Sequence, residues 1–272
     1  MIRIEDDFED ILGKAMNGQG LQVDDLARRA GIETARVKAL LEGNIHDAAL
    51  RAVAEVLNLD PSKLIDRAHE RWAPDTPLPK GVSLFNTPFP VPGYEEMTVN
   101  SYLVVNGKAA AAFDTGANCD ALLREIAHND LQLEAVFITH AHRDHIAALG
   151  AIREAHPGTT ILYPKGEPVL GDEALDHGAT RALGDLKIEA RETSGHSPGA
   201  LSYRVEGLDI PVVFSGDALF CLSIGKVPAS KYQAALEQNR NELLSLPDAT
   251  VLCPGHGPIS TIGQEKQKNP FF

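Results

Sequence analysis

Along the first seventy positions, apolar residues recur at helical spacing in short blocks, at about 6–16, 23–30, 33–41, 47–57 and 61–68, with no strand-like alternation. Short helices are expected there, and an all-helical domain built from them. Beyond residue 82 the pattern changes. Runs such as Ser101-Tyr-Leu-Val-Val105, Ala135-Val-Phe-Ile138 and Pro211-Val-Val-Phe214 have the length and β-branched or aromatic content of buried strands. They alternate with helical stretches at 118–129, 143–155 and 229–245, which predicts an α/β domain. Between the two regimes, Pro74, Pro77 and Pro79 deny helix and favour extended backbone. The expected organisation is an all-α domain over 1–72, a proline-rich linker over 73–81 and an α/β domain over 82–272.

Composition narrows the function. The chain has 272 residues, 43% of them hydrophobic, enough for one large core and a small satellite. A net charge of −13 argues against a chain devoted to nucleic acid or an anionic membrane, because both require clustered Lys and Arg. A small-molecule substrate fits better. Cys119, Cys221 and Cys253 are too few and scattered for a disulfide framework, which points to a reducing interior and a cytoplasmic location. The opening Met1-Ile-Arg-Ile-Glu-Asp-Asp7 is acidic and lacks the features of a secretory signal, and no apolar run reaches membrane-spanning length.

In the first domain, Leu21–Gly31 followed by Ile32–Gly43 reads as two short helices joined at a glycine, a helix-turn-helix pattern. Over residues 7–68 it resembles Cro/repressor-type domains. A DNA reader also needs base-edge donors and flanking cations, and only Arg36 and Lys38 offer themselves on the second helix. Residues 1–72 hold ten Lys and Arg against fourteen Asp and Glu, leaving −4 where a DNA reader should be basic. DNA is therefore a disfavoured partner. Docking, homo-oligomerisation or covering the substrate site are the expected uses of this domain.

Chemistry gathers in separated segments of the second domain. A strand ending at Ile138-Thr139 delivers His140, His142, Asp144 and His145 into a loop that opens a helix near Arg143. Imidazole and carboxylate together suit a borderline divalent ion such as zinc. Gly-flanked His196, Asp217 and His256 follow in Thr193–Gly199, Phe214–Phe220 and Cys253–Pro258. Glycine there permits sharp turns and close approach at a sheet edge.

With these motifs assembled, the chain from about residue 82 onward resembles the metallo-β-lactamase fold, a four-layer αββα sandwich, and within it the glyoxalase II group. Thr139-His-Ala-His-Arg-Asp-His145 fits that group's Thr-His-x-His-x-Asp-His signature, and Thr193–Tyr203 fits its third-histidine segment. The tail Gly255–Phe272 is similar to the ending of compact bacterial members. The resemblance implies that His140, His142 and His196 bind one divalent metal, that Asp144, His145 and His256 bind a second, and that Asp217 bridges them. Zinc is expected first, with iron or manganese as alternatives. Asp114, in Phe113-Asp-Thr-Gly116, matches a position expected to orient a ligand histidine by hydrogen bonding.

The activity implied is thioester hydrolysis with metal-bound hydroxide as nucleophile, Asp144 and Asp217 staying ionised beside the cations and guiding the proton. Only sixteen residues follow His256, where full-length members carry a helical extension that binds glutathione, so recognition of glutathione does not carry over with the resemblance. Lys226 stands in a shortened loop where arginine is usual and is a candidate for gripping a substrate carboxylate. The alternatives are a lactonase, a mononuclear-iron persulfide dioxygenase using His140, His196 and Asp217, and a DNA-binding regulator with a metallo-hydrolase sensing domain.

Overall fold

A computed structural model of the protein describes residues 2–92 and 95–272. Each of the five N-terminal apolar blocks becomes one helix: α1 (Phe8–Gln19), α2 (Val23–Ala30), α3 (Thr34–Leu41), α4 (Asp47–Val56) and α5 (Pro61–Ala68). Their ends follow local chemistry. Gly20 and Gly31 take left-handed φ values of 64° and 66° and close α1 and α2. The Asp60 carboxylate accepts the Ser62 and Lys63 amides at 2.9 and 3.0 Å and caps α5, whose first residue is Pro61.

The described residues of the remainder form two six-stranded sheets. The first contains β1 (Val82–Pro88), β2 (Thr98–Asn106), β3 (Ala109–Phe113), β4 (Gln132–Phe137), β5 (Thr160–Pro164) and β6 (Glu173–Leu175) in that order, with α6 (Asp120–His128), α7 (Arg143–Ile146) and α8 (Leu149–Ala155) in its crossovers. From β3 to β6 the strands are parallel, so each crossover must pass over a face. The second contains β7 (Thr180–Leu183), β8 (Leu186–Glu192), β9 (Leu201–Glu206), β10 (Val212–Gly216), β11 (Val251–Pro254) and β12 (Ser260–Thr261). Helices α9 (Tyr232–Glu242) and α10 (Ile262–Lys268) accompany it, and only β10 and β11 run parallel there.

The sheets pack through aromatic residues. Phe113 stacks on Phe214 and Phe137, with centroids 3.9 and 5.1 Å apart, and the Tyr203 hydroxyl donates to the Ile138 carbonyl at 2.7 Å. Leu122 and Ile126 of α6 and Ile152 of α8 cover the outer face of the first sheet. On the second sheet, Val213 and Leu252 share one apolar cluster with Tyr232 and Ala235 of α9 and with residues of α1–α5. The layers are therefore α, β, β, α, and the N-terminal helices extend the last one. Gly18 makes this docking close: a Cβ there would lie 2.2 Å from the Tyr232 ring. Lys14 Nζ donates to the Ile224 carbonyl at 2.8 Å, Asn17 to that of Val227 at 3.0 Å, and Lys63 to that of Lys266 at 2.9 Å.

The helix expected over 143–155 is broken into α7 and α8. The end of β3 explains the break, because the Thr115 amide and hydroxyl donate to the His145 carbonyl at 2.8 and 2.9 Å and occupy it. The same hydroxyl accepts the Ala148 amide at 3.1 Å. Among the described residues no helix is long and apolar enough to cross a membrane.

Candidate metal centre

Five strand ends or turns converge on one edge of the sandwich. Asp114 follows β3, Thr139–His145 follow β4, His196 lies between β8 and β9, Asp217 follows β10 and His256 follows β11. All seven sequence-predicted metal ligands meet there. One group comprises His140, His142, His196 and Asp217 and another Asp144, His145 and His256; within each, one ligand atom per residue lies within 4.8 Å of the others.

Asp217 stands between them. Its Oδ2 is 3.2 Å from His196 Nε2, 3.5 Å from His256 Nε2 and 3.8 Å from His140 Nε2, while its Oδ1 is 3.2 Å from His145 Nε2. Asp144 Oδ2 lies 3.2 Å from His256 Nε2 and 3.7 Å from His145 Nε2. Donors held about 2.0–2.2 Å from a tetrahedral ion are separated by roughly 3.3–3.6 Å, close to this range. Glycine lets the segments crowd together: a Cβ on Gly255 would be 2.4 Å from Asp217 Oδ1 and 2.5 Å from His145 Cε1.

Hydrogen bonds fix which nitrogen faces inward. His145 donates from Nδ1 to Asp114 Oδ2 at 2.7 Å, His196 from Nδ1 to the Lys226 carbonyl at 2.9 Å, and His256 from Nδ1 to the Thr98 carbonyl at 2.7 Å. The Thr139 hydroxyl donates to Asp114 Oδ2 at 2.8 Å, so it accepts from His140 Nδ1 at 3.0 Å. Each of these four rings thereby turns Nε2 toward the cluster, the nitrogen that a cation displacing any proton there would take as donor. His142 presents Nδ1, 3.0 Å from His196 Nε2. The buried His140 Nε2, His145 Nε2 and Asp217 Oδ1 have no hydrogen-bond partner among the described residues. Unpaired buried polar atoms cost about 1–3 kcal/mol each, and converging lone pairs repel; a cation among them removes both penalties. The residues present therefore fit a divalent metal site.

The electrostatics agree. Burial by itself lowers an imidazole's proton affinity, and it does so for His140 and His142, whose values fall below the usual histidine range. At His145 the carboxylates of Asp217 and Asp114 outweigh burial and raise it to about 10, and Asp217 and Asp144 likewise raise His256. Burial would raise Asp217 and Asp144, but the histidines beside them hold both carboxyls below their ordinary values. The pocket attracts positive charge around two ionised carboxylates.

Asp114 lies behind Thr139 and His145. It accepts the Thr139 amide at 2.7 Å as well as the two bonds above, from a left-handed φ of 55°. Lys226 touches the centre through its backbone carbonyl, and its side chain is exposed. Cys221 is a buried thiol, its proton held by burial. Sequence reasoning missed Glu167, a buried carboxylate that accepts bonds from the two histidine loops. It also missed the approach of the N-terminal arm: Glu5 Oε1 lies 4.0 Å from His256 Nδ1, and a Cβ on Gly257 would lie 3.1 Å from the Glu5 amide nitrogen. No periodic signal marks either residue.

These features define a metal-binding αββα sandwich with its donor set at one sheet edge, and comparison with known proteins gives the family. Residues 94–256 match the Metallo-beta-lactamase superfamily, and the chain belongs to it. It is 30% identical over 195 residues to "Probable metallo-hydrolase YqgX" of Bacillus subtilis (strain 168), covering 64% of this chain and 92% of the relative. It is also 30% identical over 189 residues to "Hydroxyacylglutathione hydrolase GloC" of Haemophilus influenzae, covering 61% and 88%. Among solved structures it is similar to ETHE1 from Myxococcus xanthus, with a TM-score of 0.56, 29% identity and coverage of 68% and 83%. TTHA1623 in a di-iron-bound form gives a TM-score of 0.53, 28% identity and coverage of 68% and 99%. The chain is thus a metallo-hydrolase of this superfamily whose His and Asp cluster suits divalent metal.

Proposed function

We propose that the protein hydrolyses thioesters in the manner of glyoxalase II, with His140, His142 and His196 holding one divalent ion, Asp144, His145 and His256 a second, and Asp217 shared between them. The observation that carries this reading is the placement of Asp217, whose two oxygens face donors of both groups within 3.2–3.8 Å. The 30% identity to GloC supports the substrate class. Bound zinc, iron or manganese would supply a water acidic enough to act as nucleophile near neutral pH and polarise the acyl carbonyl.

The chain's own groups do the rest. Asp144 and Asp217 stay ionised, and we assign to a carboxylate oxygen of each the orienting of the attacking water and the guiding of its proton by hydrogen bonding. A thiol with a pKa of about 8.5 leaves as thiolate with little acid assistance, so no further proton donor is needed. We assign to exposed Lys226, whose backbone carbonyl accepts from His196 Nδ1, the role of meeting a substrate carboxylate. The N-terminal helices line the loop after Asp217 through Lys14 and Asn17, and we assign them to covering the site rather than to reading DNA.

A second reading has one observation in its favour: His140, His196 and Asp217 alone form a two-histidine, one-carboxylate set of the kind that holds a single iron in oxygenases. Metal counting on purified protein, joined to thioester, lactone and persulfide substrates, separates the readings. Two ions per chain with thioester turnover that is lost in His142→Ala and Asp217→Ala support the proposal. One iron with oxygen-dependent persulfide turnover replaces it, and full thioester activity in both variants overturns it. Binding of duplex DNA that weakens steeply with salt would return the helical domain to a regulatory role.

A further inference from the structure

Glu167 lies in the turn after β5, in Pro164-Lys-Gly-Glu-Pro168, where an acidic residue ordinarily faces solvent. Here it is only 6% exposed. Burying a carboxylate is costly unless its oxygens are bonded, and both of them are. Oε2 accepts the Ala141 amide at 2.9 Å, and Oε1 accepts the Ser197 hydroxyl at 2.6 Å and the Gly199 amide at 2.8 Å. The donors are chemically selective positions. Ala141 separates His140 from His142, Ser197 follows His196, and none lies beside Asp144, His145 or His256.

The backbone is shaped for this contact. Gly166 and Gly199 meet so closely that a Cβ on Gly199 would fall 2.5 Å from Gly166 Cα and one on Gly166 would fall 2.8 Å from Gly199 Cα. Any larger residue at either position would push the Glu167 turn off the His196 loop. The turn is also braced internally, with the Glu167 amide donating to the Pro164 carbonyl at 2.9 Å. Among the described residues, the outer nitrogen of His142, unlike those of the other two imidazoles in this group, has no oxygen partner; what the structure offers its loop is the bond at Ala141.

We infer that Glu167 is a positioning residue for the first metal: one carboxylate ties the His140–His142 loop to the His196 loop and sets the spacing of those three rings. The inference rests on the proposed assignment of these histidines as ligands. Charged acceptors bind backbone amides strongly, so the clamp holds both loops before any ion arrives, and preorganised donors bind a metal without first having to be ordered. Removing partners of this kind typically costs about 10–100-fold in metal affinity. The effect should be confined to one ion, because the other group is oriented by Asp114 and the Thr98 carbonyl instead.

The test is cobalt(II) titration of metal-free protein, followed by d–d absorption and by competition with a chromophoric chelator, in the parent, Glu167→Ala and Glu167→Gln. The same titrations are run in a His256→Ala background, where the first group alone is intact. Glu167→Ala should weaken the first ion about 10–100-fold and change its absorption band, leaving the second within twofold. Glu167→Gln, which keeps an acceptor for one loop only, should fall between. Equal weakening of both ions, or a first ion unchanged within twofold, overturns the inference. If Glu167→Ala does not fold, the isosteric Glu167→Gln decides by the same criteria. Parent protein binding a single ion would refute the two-metal proposal separately, since the Glu167 ratio in the His256→Ala background is judged on its own.

Discussion

Asp114→Asn isolates the electrostatic part of the histidine scaffold. Asn tolerates the left-handed backbone at φ 55° about as well as Asp, and the side chains are nearly isosteric, so neither strain nor a cavity enters the comparison. What changes is bonding. Asp114 accepts from the Thr139 amide on Oδ1 and from the Thr139 hydroxyl and His145 Nδ1 on Oδ2, all within 2.7–2.8 Å and all buried. An amide has one oxygen. If it replaces Oδ2, its NH2 confronts the Thr139 N–H; if it replaces Oδ1, the NH2 faces His145 Nδ1 and forces the proton to Nε2, the atom needed for metal. Either way a bond to a charged acceptor, worth about 1.5–3 kcal/mol, is lost. Melting should fall by roughly 3–12 °C, at about 2–4 °C per kcal/mol for a domain of this size. Affinity at the His145 group should fall about 10–100-fold. Calorimetric melting of the metal-free protein and a two-site zinc titration read these effects. A variant that melts within one degree of the parent (about 1 °C) and binds both ions unchanged refutes the assignment of Asp114 as the group that sets the His145 proton.

Chelation should destabilise the protein: an ion present at a thousand times its Kd contributes about 4 kcal/mol, so removing each should lower Tm by roughly 8–16 °C, and an unchanged melt in excess EDTA would contradict a resident metal. Gly18→Ala should cost about 1–3 kcal/mol, because the added methyl meets the buried Tyr232 ring at 2.2 Å, and should hasten proteolysis in segment 73–81; a neutral result would mean that the helices dock elsewhere. Glu265 gives a pH signature away from the metals: burial raises it to about 7 against an ordinary 4.5, despite bonds from Ser260, Asn269 and the Leu222 amide. Its folded form holds a proton that the unfolded chain has lost, so that stability is complete below pH 4.5 and disappears as pH rises through 7, by about 3 kcal/mol, and Glu265→Gln should flatten the slope. Parallel pH profiles for parent and variant would exclude this.

How legible the molecule was in its sequence depended on where the information resides. Helical spacing located α1–α5 because each buries a single stripe, and strand-like runs located β2, β10 and the second half of β4 because both of their faces are covered there. The seven residues of the His and Asp cluster were visible because imidazole and carboxylate are side-chain chemistry, gathered after strand ends. The groups that aim them were mostly invisible. His256 and His196 are oriented by the carbonyls of Thr98 and Lys226, and a backbone oxygen leaves no trace in residue identity. Glu167 looks like any surface acid in a turn until its three donors are in place. The break between α7 and α8 came from Thr115, twenty-eight or more residues upstream in the chain, competing for the His145 carbonyl. The docking of α1 on α9 likewise depends on a glycine meeting a distant tyrosine, which no local pattern encodes. This division has an experimental consequence. Substituting a residue that faces the metals removes a donor outright, whereas His196 and His256 should withstand changes to the Lys226 and Thr98 side chains, because those residues contribute only their carbonyls. Lys226→Ala should therefore leave metal content intact and, if its ammonium meets a substrate carboxylate, raise KM alone. Loss of metal from that variant would show that the loop, rather than the charge, is what position 226 provides.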